Sequence, residues 1–397
     1  MALNLIRNSR VFYTTNLTVT GAVAATGFTT ANTQELQVQD GFSFSQNTGQ
    51  ETVTVNESGA APVRGQRSFN TSLEPVDWSF ATYIRPKFEE GATSAPALDS
   101  DDYINAEEAV LWNSLSGTAA IGSAGAGWTK TLGPTTPYST VAFTNSNAHQ
   151  LLAFGLIIRF EDVTYVIDNC AIDSATIDFG LDAIASIAWA GKGTTMRQVA
   201  TAVTLADASG TTTLTGGLAG TAKTKDTTAA YIANKLSTMT LASLAFGGLS
   251  AKSYTLALTG GNLTISNNLT YLTPANLGVV NQPITYFTGT RAITGSVNAY
   301  LKTGTNETST LLKDMLAASS SSTENKFATE ISLGGAANTN KVVFTIATAQ
   351  LTIPAINSEQ IIATSINLTA QGATSGAYDL EAKNELEVKY YATNTTV

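Results

Sequence analysis

Residues 36–46, LQVQDGFSFSQ, can be laid without a gap on residues 263–273, LTISNNLTYLT. Leu36 then falls on Leu263, Val38 on Ile265, Phe42 on Leu269 and Phe44 on Tyr271. In both stretches large apolar residues stand two apart, the spacing that puts them on one face of a half-buried strand. Asp40-Gly41 and Asn267-Asn268 separate them with small or polar pairs suited to a bend or bulge. A second gapless match lies further on, where VNAYLK at 297–302 sits on FATYIR at 80–85. Tyr83 meets Tyr300, Ile84 meets Leu301 and Arg85 meets Lys302. Two matches in the same order point to a duplicated module.

The elements between them repeat as well. In the first half, residues 3–15 read as a strand carrying Arg7 and Arg10, and a polar loop follows to about Asn32. The strand at Leu36 comes next, then a long arm or hairpin at 47–66 with alternating Val53 and Val55. Residues 78–86 form a strand stopped by Pro86. A helix is expected from the capping pair Asp101-Asp102 to about Leu115, with Ile104, Leu111 and Leu115 as its apolar stripe. Strands at 151–160 and 163–168 pair through a turn at Glu161-Asp162, and a separate strand spans 175–181. Ile187 and Trp189 close the unit before Gly191. In the second half, the strand through Tyr254, Leu256 and Leu258 turns at Gly260-Gly261 into the repeated strand. A helix at 308–318 carries Leu311, Leu312, Met315 and Leu316. Strands around 342–353 follow, and Ile366 and Leu368 stand where Ile187 and Trp189 stood. The domain reading is 1–200, a linker at 201–227 poor in large side chains, and 228–397. The fold class is mainly β, a sandwich or barrel with one flanking helix per domain.

Composition narrows the function. The 397 residues are 43% hydrophobic but only 13% charged, about half the usual charged fraction. So sparsely charged a surface suits a protein that buries much of itself against its own copies. The net charge of −9 argues against a nucleic-acid clamp. Residues 1–200 hold 19 acids and 10 bases, and residues 201–397 hold 11 of each. The first half therefore carries the whole excess. Cys170 is the only cysteine, which excludes an intrachain disulfide and a thiolate cluster. Neither a signal peptide nor a membrane span is expected, since no apolar run is long enough.

Catalytic chemistry finds little to use. His149 is the only histidine and sits in the polar SNAHQ stretch, so a nucleophile–histidine arrangement or a two-histidine metal site has no second member. The glycine run at 122–127 lacks the preceding strand, the following helix and the lysine of a phosphate cradle. Trp78, Trp112 and Trp189 fall at strand or helix positions that favour core packing, which leaves Trp128, in a Gly/Thr loop, to meet a partner. No catalytic residue, cofactor or metal is assigned.

Several longer blocks carry a family resemblance. LNLIRNSRVFYTT (3–15), NTQELQVQDGFSFSQ (32–46), TVTVNESGAAPVRGQRSFN (52–70) and VDWSFATYIRP (76–86) resemble the opening of tail tube, or major tail, proteins of long-tailed bacteriophages. ISNNLTYLTP (265–274) and TGSVNAYLKTG (294–304) are similar to the second half of the same proteins, in the branch whose tube domain is doubled. The resemblance covers nearly the whole chain in matching order. It implies two tandem tube domains, each giving four long strands to an inner β-barrel that forms on oligomerisation. Three chains would make a pseudo-hexameric ring, and rings would stack into the conduit for DNA ejection. Implied partners are further copies of the chain, the tape measure protein, the tail terminator and the baseplate or distal tail proteins, with a sheath as a further candidate. Phage DNA would cross the lumen without specific binding. Assembly would take place in the host cytoplasm, and the product would be part of the virion. No appended immunoglobulin-like domain is expected after the second tube domain.

Three expectations follow for the site. Arg7, Arg10, Val53, Val55, Arg64 and Arg67 are the candidate assembly residues. The arm at 47–66 orders on a neighbouring ring, with Arg64 and Arg67 pairing across it. Part of the acid excess of the first half faces the lumen and repels phosphate. Two other readings compete: a baseplate hub or tail initiator built on the same doubled domain, and a glycan-binding or glycan-degrading β protein.

Overall fold

The computed structural model describes residues 9–25, 27–28, 32–53, 66–89, 103–117, 128–131, 138–141, 151–160, 163–199, 204–207, 210–213, 231–244, 251–319, 326–334, 340–353, 355–357, 362–371 and 385–392. The protein is mainly β, built of antiparallel sheets with two helices. Arg7, Val55, Arg64, Asp101, Asp102, His149 and the 122–127 glycine run lie outside the described residues.

One strand organises the first half. Thr164–Asp178 is a single strand, not the two expected. Its early part pairs with Phe154–Arg159 and Met196–Val199, and its late part with Ser186–Gly193. Register shifts between Ile167 and Cys170, and again between Ile172 and Ser174, let it bend from one layer into the other. Leu181, expected to extend it, lies exposed in a turn. In the outer layer Arg10–Thr14 pairs with Thr33–Leu36 on one side and Phe154–Arg159 on the other. In the inner layer Ser43–Val53 pairs with Arg67–Tyr83, which pairs in turn with Ser186–Gly193.

The second half has the same order of partners. Thr238–Ser243 pairs with Lys252–Thr255 and Phe327–Gly334. Leu258–Ser266 pairs with Ala292–Tyr300, which pairs with Ala363–Ala370. Lys341–Leu351 again serves both layers, pairing with Phe327–Gly334, Glu387–Tyr391 and Ala363–Ala370.

These pairings correct the register read from sequence. Val38 bridges to Thr82, and Leu258 stands opposite Ala299. Thr82 and Ala299 are themselves matched, because the Ile84 N–H donates to Ala185 O as the Leu301 N–H donates to Ile362 O. By partner, Leu36 and Val38 therefore correspond to Leu256 and Leu258, not to Leu263 and Ile265. Phe44, opposite Trp78, corresponds to Leu263, opposite Gly295. The closing strands shift too. Ile366 faces Val297 as Trp189 faces Phe80, so Ile366 takes the place of Trp189 rather than of Ile187. The FATYIR and VNAYLK match keeps its register.

Gly260-Gly261 is not a turn but lies within Leu258–Ser266, where Gly260 has φ 152° at a register shift. A Cβ on Gly261 would come within 2.6 Å of Ser296 O and 2.7 Å of the Phe179 ring, so close approach explains the glycine. The first helix spans Ala109–Ser116, later than expected. Tyr103–Ala106, read as its first turn, is a strand because its backbone finds a ladder partner in Pro86–Glu89. Gly117 ends the helix in the left-handed conformation, φ 77°. The second helix spans Thr308–Ala318 as expected, with Leu311 and Met315 buried but Leu316 exposed. The stretch read as a bare linker carries a small hairpin, Thr204–Asp207 with Gly210–Thr213.

The two halves share one core. Trp112, on the first helix, packs edge-on to Trp189 of its own half and meets Phe344 and Tyr390 of the other. The Trp112 indole N–H donates to the Tyr390 hydroxyl (2.7 Å), which donates to Glu108 Oε1 (2.6 Å). The Arg85 N–H donates to Glu108 Oε2 (3.3 Å). Glu108 is fully buried, and burial pushes its pKa up to about 8 against the hydrogen bonds that favour the charged form. Tyr390→Phe leaves the Trp112 N–H and the Glu108 carboxyl without this partner. The expected loss is about 1–3 kcal/mol for each group, read as a lower urea midpoint at unchanged slope. Since folding raises the Glu108 pKa, the folded chain keeps a proton that the unfolded chain gives up above about pH 4.5. Stability from this group is therefore full below that pH and is lost as pH rises to about 8, with a slope of at most about 1.4 kcal/mol per unit. Glu108→Gln, the isostere of the protonated form, should flatten that slope in pH-dependent urea titrations.

Candidate assembly surfaces

The inner layers of the two halves join into one run. Residues 174–178 pair with Ser186–Gly193 on one edge and with 262–266 of the second half on the other. Ala175 stands opposite Ile265 and Ile177 opposite Leu263, all fully buried. Side chains bolt the joint. Asn267, buried at the end of its strand, donates through Nδ2 to Leu115 O and Ile172 O (3.2 Å each). Its backbone N–H donates to Asp173 O (2.7 Å), and the Leu269 N–H donates to Asp173 Oδ1 (2.7 Å). The Tyr271 hydroxyl lies 2.8 Å from both Asn169 O and Lys192 O, and burial raises its pKa well above the ordinary phenol value.

The run holds four strands from each half. Its ends, Ser43–Val53 and the edge formed by 349–351 with Ala355–Asn357, are not paired with one another. Its core face is apolar. Its other face is mostly small uncharged groups, Ser79 and Ala81, Ala188 and Ala190, Ser174 and Thr176, Thr264 and Ser266, Thr294 and Ser296, Ser365 and Asn367, with Tyr83 and Tyr300 at the strand ends. Hydroxyls pair across the strands, Ser43 with Ser79 at 2.9 Å and Thr176 with Thr264 at 3.1 Å. Described charges on this face are few: Lys192 neutralises Asp77 at 2.6 Å, and Asp178 stands exposed. Four of the described first-half acids lie off this face. Glu35 binds Arg10, Asp168 is buried against Arg197 and the Val23 N–H, and Glu107 and Glu108 are buried beside the helix.

At the periphery, the hairpin of Ser43–Val53 with Arg67–Tyr83 brings Val53 opposite Arg67, both exposed. Arg10 lies half-buried, held by Glu35 (2.7 Å) and stacked over Phe12. A second hairpin, Leu269–Leu272 with Thr285–Thr288, lies beside the first. Asn281 at its tip bridges to Ser72, and the Leu73 N–H donates to Asn281 O (2.7 Å). Phe69 and Val53 on one hairpin, with Leu277, Val279 and Val280 on the other, are exposed large apolar residues. Exposed large apolar residues on two neighbouring hairpins make this a candidate interaction surface. Sequence reasoning found the first hairpin but missed the second and missed the exposed Ile353 and Ile356 at the sheet edge. The available signal was the pair of isoleucines three apart around Pro354, a spacing that does not keep both on one face of a regular strand.

The helices differ in what covers them. Every residue of 110–116 is buried, under the inner sheet on one side and the second half on the other. The second helix is tied to its outer strand by Asp314, which accepts from Lys252 (2.7 Å) and Tyr254 (2.9 Å). Burial works against the Asp314 charge, but these two donors hold its pKa below the usual value, and burial beside the carboxylate lifts Tyr254 to about 12. The far side of that helix is bare, with Leu316 53% exposed. Trp78, Trp112 and Trp189 are core residues. Trp128 begins the strand Trp128–Thr131 instead of lying in a loop. Among the described residues no cluster of three or more His, Cys, Asp or Glu side chains is placed to hold a metal, and no helix is long and apolar enough to cross a membrane.

Open sheet edges, two exposed apolar hairpins and a half-bare helix define a structural protein made for association. The chain is 31% identical over 377 residues to "Tail tube protein pb6" of Escherichia phage T5, an alignment covering 93% of this chain and 73% of that protein. No family model matches the chain. The chain belongs to the bacteriophage tail tube proteins, structural components of the virion tail.

The joint between the halves is open to direct test. Asn267→Ala removes donors to two buried carbonyls, and about 1–3 kcal/mol of stability should be lost for each one left unpaired. The loss should appear as a lower thermal midpoint, while a substitution at exposed Asn262 leaves that midpoint unchanged.

Proposed function

We propose that each chain is one tube module written twice and that three chains close into a pseudo-hexameric ring. Rings then stack into the tube through which phage DNA leaves the capsid. The observation that supports this best is the matching order of partners in the two halves, joined into an eight-stranded run that stops at two open edges. A closed ring of such runs leaves no edge exposed, which removes the aggregation hazard of an open sheet. The chain contributes structure and no catalysis. Its partners are other copies of itself, then the tape measure, terminator and baseplate components of the tail. In negatively stained micrographs the purified protein should form hollow tubes with six-lobed cross-sections. Solid particles or lone monomers would overturn the reading.

In this ring the hydroxyl-rich face lines the lumen. DNA would pass a neutral polar wall that neither grips phosphate nor depends on strong repulsion, in place of the acidic lining expected from composition. Thr176→Lys with Thr264→Lys adds cations to that wall, and ejection should slow by at least about tenfold at low salt and recover as salt is raised. Asp178→Asn should leave the rate within about twofold. A large effect of Asp178→Asn would restore the acidic-lumen mechanism.

The paired hairpins would dock on the next ring through Val53, Phe69 and Leu277 to Val280. Deletion of residues 50–61 should leave soluble protein that no longer polymerises, scored by sedimentation. Normal tubes from the deletion would reject this role.

A further inference from the structure

We infer that the joint between neighbouring chains copies the joint inside the chain residue for residue, with Asn357 of one copy opposite Ser43 of the next, Ile356 opposite Phe44 and Ala355 opposite Ser45. This rests on the reading that copies meet side by side, and it specifies how.

The register follows from partners already described. Ile177 faces Ile187, which faces Thr82. Ile356 faces Thr364, which faces Ala299. Thr82 and Ala299 occupy the same place, so Ile356 holds the place of Ile177. On the other side of the joint, Phe44 holds the place of Leu263. Within the chain Ile177 sits opposite Leu263 and Asp178 opposite Asn262. Carrying that pairing across gives Ile356 opposite Phe44 and Asn357 opposite Ser43. The approach to the joint matches as well. Both strands carry one extra residue there, between Ile172 and Ser174 in one half and between Leu351 and Ala355 in the other.

Burial supports the same pairing. Ile177 is fully buried, whereas Ile356 in the equivalent place is 52% exposed and Ile353 is 47% exposed. Among the described residues, the strands at 43–46 and 355–357 each have a backbone partner on one edge alone. Phe44 already stands in an aromatic group with Phe42, Phe160 and Tyr165, an apolar seat for an incoming isoleucine. The bare side of the second helix, at Leu316, would meet the next copy much as Trp112 meets Phe344 and Tyr390.

Paired cysteines test the register. Thr176 and Thr264 touch through their hydroxyls at 3.1 Å, and Ala355 with Ser45 is the corresponding interchain pair. Cys170 is buried, and burial raises its thiol pKa well above the ordinary value, so it does not compete. Assembled full-length Ser45→Cys/Ala355→Cys protein, oxidised with glutathione disulfide, should give a covalent ladder that stops at trimers under denaturing electrophoresis. Thr176→Cys/Thr264→Cys should close within single chains. A ladder stopping at another number would keep the joint and overturn the three-chain ring. Tubes that form normally but cross-link through Ser43→Cys/Ala355→Cys instead would overturn the register and keep the ring. Ile356→Asp gives an independent check, because it should leave the monomer's unfolding midpoint in place and abolish rings. Normal rings from that variant would overturn the joint.

Discussion

A β-strand has two edges, and each must find hydrogen-bond partners or face water. The strand Thr164–Asp178 meets that requirement on both edges along most of its length, in the outer layer with Phe154–Arg159 and Met196–Val199, and in the inner layer with Ser186–Gly193 and 262–266. Everything else is arranged to let it do so. The bulges bend it between layers, Asp173 offers both a carbonyl and a carboxylate oxygen to the incoming second half, and Asn267 donates to the last turn of the first helix and to the Ile172 carbonyl at the bulge. In the inner layer the corresponding edge of the second half, 349–351 with Ala355–Asn357, has no partner beyond Ala363–Ala370 among the described residues. That asymmetry within one chain is the strongest structural reason to expect association with another copy.

The exposed face of the inner run illustrates how composition and function can be separated. An acidic chain need not present an acidic surface where it matters. Here Glu35, Asp168 and Asp77 are paired with Arg10, Arg197 and Lys192, and Glu107 and Glu108 are buried beside the first helix. Most of the face is left to serine, threonine, asparagine and alanine, and hydroxyls satisfy one another across strands at Ser43 with Ser79 and Thr176 with Thr264.

Much of the fold was legible in the sequence, for identifiable reasons. The strand read at 78–86 and its match at 297–302 marked the paired strands, and the Tyr83–Tyr300 match held in register because aromatic and basic residues anchor its end. The helix at 308–318 was found entire because Leu311 and Met315 repeat at helical spacing. The Leu36 match was misplaced because period-two patterns slide along one another and a register shift, here between Leu258 and Gly260, absorbs an odd step, so that only hydrogen-bond partners fix the true alignment. The first helix was begun too early because Asp101-Asp102 looks like a cap, and sequence does not reveal that the next residues find a ladder partner at 86–89. Of the assembly surfaces, the arm was visible as a long stretch without helical character. The second hairpin and the edge isoleucines were not, since an exposed apolar residue and a buried one read alike until neighbours are placed.

The hydrogen bond from Tyr390 to Glu108 spans 282 residues of chain. During synthesis, Trp112 and the first helix emerge from the ribosome long before the side chains that cover them. The first half must wait, incompletely packed, until residues 387–391 arrive. A chain that ends before residue 387 leaves Trp112 and Glu108 without that cover.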